Sequence, residues 1–131
     1  MTKPTPKDRL FSKEHEWVKL EGHDAVLGIS DHAQCSLGDV VYVELPGVGE
    51  TVSQGKAVGV VESVKAVSDV FAPVSGIVKA VNQTVIDHPE LINQDPYGDG
   101  WLLVIEVKDS REQQALLNAD QYQELLTQEA K

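Results

Sequence analysis

The chain has 131 residues, 41% of them hydrophobic and 24% charged, the make-up of a single soluble globular domain with one modest core. No apolar run approaches the roughly 18 residues that span a membrane. A formal charge of −10, from 21 acidic and 11 basic residues, repels phosphate backbones, so neither a membrane nor nucleic acid is an expected partner.

In chain order, Met1 to Lys13 holds Lys3, Lys7, Arg9 and Lys13 against Asp8, a net +3 that leaves −13 for the remainder. The segment lacks the apolar stretch of a secretory signal. For an organellar transit peptide it is short, and it contains an acid and two prolines. A flexible lead over residues 1–10 and a cytoplasmic location in a bacterium are expected. Short valine-rich runs follow: Val40-Val41-Tyr42-Val43, Val58-Gly59-Val60-Val61, Val67 to Phe71, Ile77-Val78 and Leu102 to Val107. Runs of β-branched residues bounded by glycine, proline and aspartate read as strands. Their spacing predicts a mainly β fold, a compact sandwich or barrel of mostly antiparallel pairs.

Pro46-Gly47-Val48-Gly49 and Pro73-Val74-Ser75-Gly76 share an outline at an offset of 27 residues. Two β-halves related by approximate symmetry, or a coincidence of common turn residues, would both produce it. Helices are expected at the edges. Ser30 caps a short one ending at Gly38, and Pro89 opens a single turn through Leu91 and Ile92. Ser110 with Gln113 starts a short helix, and Asn118 with Gln121 forms a capping box ahead of an apolar stripe at Tyr122, Leu125 and Leu126. The helical segment covers residues 110–131 of one domain, 1–131.

Between two of the valine runs stands Glu62-Ser63-Val64-Lys65-Ala66-Val67-Ser68-Asp69. If those runs pair as a hairpin, Lys65 lies at its tip and projects into water, with Glu62 and Asp69 on the two strands beside it. An exposed lysine there is either a solvated charge or an attachment point, and the local pattern does not separate the two. His15, His23, His32 and His88 show no regular metal-ligand spacing, so no metal site is expected. Cys35 is the only cysteine; it excludes an internal disulfide or a cysteine metal cluster and reads as an idle thiol. Trp17 and Trp101 read as core or rim residues. No nucleophile–base pair or phosphate loop marks the chain as an enzyme.

Glu62-Ser63-Val64-Lys65-Ala66, continued by Asp69-Val70-Phe71-Ala72-Pro73-Val74-Ser75-Gly76, resembles the lipoyl-attachment segment of the glycine cleavage system H protein family. Lys13-Glu14-His15-Glu16-Trp17-Val18 is similar to that family's first strand, and Leu37 to Pro46 to its central strand. Pro89-Glu90-Leu91-Ile92-Asn93 and Asp95-Pro96-Tyr97-Gly98-Asp99-Gly100-Trp101 are similar to its loop and final strand. The resemblance runs from about Phe11 to the C-terminal helices. It implies a barrel-sandwich hybrid and a non-catalytic carrier, a monomer, with lipoic acid joined by an amide to Lys65. It implies shuttling of an aminomethyl group from glycine decarboxylase (P protein) to aminomethyltransferase (T protein), then reoxidation by dihydrolipoyl dehydrogenase (L protein), after loading by lipoate-attaching enzymes.

Glu62 and Asp69, on either side of the tip, offer an attaching enzyme a charge pattern to read. The resemblance implies that Glu16 and Asp69, with Glu14 and His15 near, hold the cationic amine of the loaded arm; solvated strand carboxylates are the alternative. A biotin carboxyl carrier would have methionines beside the lysine, where this chain has Val64 and Ala66 and only Met1 as methionine. A lipoyl domain of an acyltransferase would lack the terminal helices and the His15-Glu16-Trp17 motif. An H-like carrier for lipoate relay or another pathway is the remaining alternative.

Overall fold

The computed structural model describes residues 5–129. In chain order the elements are β1 (Leu10–Phe11), β2 (Glu16–Glu21), β3 (Asp24–Ile29), α1 (Asp31–Leu37), β4 (Val40–Glu44), β5 (Thr51–Val52), β6 (Ala57–Ser63), β7 (Val67–Phe71), β8 (Gly76–Val81), α2 (Gln83–Asp87), α3 (Leu91–Gln94) and β9 (Leu103–Val107). A 3-10 helix (Ser110–Ala115) and α4 (Ala119–Glu129) close the chain. One sheet has the order β1-β2-β3-β9-β8-β5 and the other β4-β6-β7; every strand pair is antiparallel. The result is the expected mainly β sandwich with edge helices and a terminal helix.

The larger sheet is covered on both faces around β1 and β2, and the alternation along its strands shows how. Val18, Leu27 and Ile105 turn one way and join Val43, Val61 and Val70 of the smaller sheet in the main core. Trp17 turns the other way, into a second cluster with Phe11, Ala119 and Tyr122, where Tyr122 stacks on Phe11 at 4.5 Å between ring centres. Helix α4 is the lid on that second cluster. The reciprocal cap predicted for it is present: Gln121 N–H donates to Asn118 Oδ1 at 2.8 Å, and Asn118 N–H donates to Gln121 Oε1 at 2.9 Å.

The two turns of the faint repeat take equivalent roles. The first leads from β4 in the smaller sheet to β5 in the larger, and the second leads from β7 to β8 in the same sense. Strands β5 and β8 then pair with each other.

Several local expectations shift. Arg9 is already anchored, stacked 4.6 Å over the Trp17 ring and donating to the Tyr97 carbonyl at 2.9 Å, and Leu10 is in β1. Arg9 and Leu10, placed within the lead expected over residues 1–10, are thus held by the fold, and residues 1–4, like 130 and 131 of the expected helical segment, lie outside the described residues. Pro89 precedes α3 instead of occupying its first position, because Glu90 is the cap. Asp109, not Ser110, caps the 3-10 helix, its carboxylate accepting from Arg111 N–H at 3.0 Å.

Candidate functional site

Lys65 stands at the tip of the β6–β7 hairpin, where Glu62 pairs with Val67. Ser63, which the sequence reading passed over, organises the turn. Its hydroxyl accepts from the backbone N–H of Lys65 at 3.2 Å and of Ala66 at 3.0 Å, while its own N–H donates to the Ala66 carbonyl at 2.8 Å. Serine hydroxyls commonly stand in for a backbone acceptor in tight turns. Val64 N–H donates to the Asp39 carbonyl at 3.0 Å, which docks the tip on the residues after α1.

That docking surface is itself fixed. Gly38 ends α1 at φ 84°, a conformation that favours glycine, and a β-carbon there would lie 3.4 Å from Lys65 Cε. The Asn93 amide donates to the Gly38 carbonyl and to Gln34 Oε1, each at 2.9 Å, and its oxygen accepts from Val40 N–H at 2.9 Å. The aliphatic stem of Lys65 thus lies along a braced backbone. The side chain as a whole is exposed, with no ion pair among the described residues.

Beside the tip opens a cleft of about 380 Å³ between the start of β2, helix α1 and the edge strand β7. Its lining brings together Glu14, His15, Glu16 and Asp69, four of the residues singled out from the sequence, and adds His32, Ser36 and Leu37 of α1. Glu62 is outside it, on β6 in a rung between Tyr42 and Val67. Asp69 and Glu14 are exposed and His15 is half-buried.

Glu16 differs from the other carboxylates, being 2% exposed. Ser12 Oγ donates to its Oε1 at 2.5 Å, and Phe71 N–H, on the free edge of β7, donates to Oε2 at 3.2 Å. Burial outweighs these bonds and pushes the carboxyl from its ordinary 4.5 up to about 7. Glu16 therefore ties the two walls of the cleft together and exchanges its proton near neutrality.

His15 has φ 72°, a left-handed backbone conformation uncommon outside glycine, and two backbone bonds hold it there. Its N–H donates to the Ser12 carbonyl at 3.1 Å, and its carbonyl accepts from Ser30 N–H at 2.9 Å. Its Nδ1 lies 2.8 Å from the Tyr122 hydroxyl, which lies 2.7 Å from Ser30 Oγ. No local signal announces these partners, since Tyr122 is 107 residues from His15 in the chain. Cys35 is exposed on α1, and desolvation together with Asp31 raises its thiol, the opposite of an activated nucleophile.

Comparison with known proteins accords with this geometry. A family model described as Glycine cleavage H-protein matches residues 9–129. A glycine cleavage system H protein of Carboxydothermus hydrogenoformans is 52% identical over 124 residues, covering 95% of this chain and 95% of the relative. That of Thermus thermophilus is 53% identical over 125 residues, covering 95% and 98%. The crystal structure of a glycine cleavage system H protein from Mycobacterium marinum superposes with a TM-score of 0.82 at 40% identity, covering 96% of this chain and 99% of that one. With a shared fold and a match along almost all of its length, this chain belongs to the glycine cleavage H-protein family.

Proposed function

We infer that the protein is the lipoyl-bearing carrier of a glycine cleavage system, with Lys65 as the attachment residue. The observation that carries this reading is the position of Lys65: exposed on a hydrogen-bonded hairpin tip, with no competing ion pair among the described residues, beside a cleft containing carboxylates. These residues suit the group. The amine is open to an attaching enzyme, and an arm rooted there has both solvent and the cleft within reach. A lipoyl amide at Lys65 would supply a dithiolane able to accept and give up an aminomethyl unit, and the chain itself makes no bonds.

The chain's own part is to position and protect. Anchoring cargo to a fixed tip raises its effective concentration at each partner's active site. In the cleft, a protonated amine favours the ionised form of Glu16, whose carboxyl sits near 7. The buried negative charge is then present when the cation is there to balance it and is suppressed when it is not. Asp69 and Glu14 add carboxylates at the mouth. Charge-assisted hydrogen bonds and restricted water access then protect a cargo prone to hydrolysis.

The outer rung Tyr42–Glu62–Val67, with Val64 70%, Val67 63% and Tyr42 50% exposed, offers partners an apolar face with an acidic mark. The glycine decarboxylase, the aminomethyltransferase, the dihydrolipoyl dehydrogenase and the attaching enzyme would all meet the carrier at this tip. In a bacterium these encounters would take place in the cytoplasm.

Intact-mass measurement of the chain incubated with lipoate, ATP and a lipoate-attaching enzyme tests the attachment. One lipoyl amide is expected on the wild type and none on Lys65→Arg. An unmodified wild type under conditions that load a control carrier would overturn the assignment.

A further inference from the structure

Histidine spacing along the chain gives no metal motif, yet the fold collects two of the four histidines and a carboxylate at one place. One ligand atom each from His15, His32 and Glu129 lie within 4.8 Å of one another. His15 Nε2 is 3.2 Å from Glu129 Oε1, close to the donor separation of about 3.3 Å across a tetrahedral zinc ion with bonds near 2.0–2.1 Å. The two imidazoles face each other with ring centres 4.7 Å apart.

The support behind His15 is of the kind metal ligands need. Its Nδ1 is engaged by the Tyr122 hydroxyl, which is engaged in turn by the buried Ser30. The ring is thereby oriented with Nε2 as the nitrogen left for a ligand, and such outer partners set both tautomer and direction in known sites.

We propose that His15, His32 and Glu129 form a binding site for a divalent transition-metal ion of the zinc class. Two imidazoles and one carboxylate suit this class better than calcium or magnesium, which prefer all-oxygen shells. Three protein ligands leave a coordination position open for water or a small ligand. Because His15 and His32 also line the cleft, the ion sits on its rim. Because Glu129 belongs to the last turn of α4, the ion also fastens that turn to the β2 and α1 side of the molecule.

The test is titration of the full unlipoylated chain with Co(II), read by its visible absorption, followed by displacement with Zn(II). Saturation at one ion per chain is expected, weakened at least about tenfold in His32→Ala and in Glu129→Gln, and unchanged in His88→Ala. Glu129 is exposed at a helix end, so Glu129→Gln leaves the fold intact even if a histidine variant does not. Zn(II) should also slow amide exchange in the last turn of α4 in the wild type but not in Glu129→Gln. Absence of saturable binding would overturn the proposal, as would binding that survives both substitutions.

Discussion

Replacing Glu16 by glutamine isolates the consequence of burying one carboxyl. In the folded chain the group titrates at about 7 against an ordinary 4.5; at 1.36 kcal/mol per pKa unit the gap is worth about 3 kcal/mol. The raised folded value sets the sign. Below about 4.5 the group is protonated in both states and imposes no penalty. As pH climbs from 4.5 towards 7 the unfolded chain releases its proton while the folded one retains it, so stability falls, and the loss levels off above about 7. Glutamine keeps the shape: its carbonyl can accept from Phe71 N–H and its amide can donate to Ser12 Oγ, so the acidic-side difference should stay within about 1 kcal/mol. Urea unfolding of both proteins from pH 4 to 8 measures the effect, and taking the difference cancels the titration of the other acids. The variant should gain about 3 kcal/mol over the wild type across that range. A difference that does not change with pH, or one in which the wild type gains, would refute the reasoning.

Three further perturbations probe the supports of the site. Ser63→Ala removes the acceptor for the Lys65 and Ala66 amides; it should cost about 1 kcal/mol and slow lipoylation, and urea unfolding with timed intact-mass measurement reads both. Tyr122→Phe keeps the stack on Phe11 but strips the hydroxyl shared by His15 and the buried Ser30, with an expected cost of about 1–2 kcal/mol in urea unfolding. Gly76→Ala places a β-carbon 1.9 Å from the Glu106 carbonyl oxygen, so β8 and β9 must separate. A loss above about 2 kcal/mol is expected, visible as a large drop in the thermal midpoint.

Legibility in the sequence followed locality. The β7 run, Val67 to Phe71, and the Asn118–Gln121 box are self-contained signals, and both elements form where they were read. Strand β3, with Gly28 near its end, carries no pure valine run and lies outside the expected strands, as does the two-residue strand β1, which exists only through its partner. Glu16 was expected to face a cleft, but its burial had no local sign. On β2, alternation puts Glu16 on the same face as Val18, and that face packs inward. The roles of Ser12, Ser30 and Tyr122, and the meeting of His15, His32 and Glu129, arise from contacts between distant elements. No periodicity encodes those.

The central claim is that cargo travels on Lys65, and a reconstituted reaction tests it most directly. Lipoylated protein, combined with glycine, tetrahydrofolate, glycine decarboxylase, aminomethyltransferase, dihydrolipoyl dehydrogenase and NAD+ as the terminal oxidant, should support continuous ammonia release, and Lys65→Arg treated in the same way should support none. Turnover with Lys65→Arg equal to wild type, or no turnover with fully lipoylated wild type, would contradict the account.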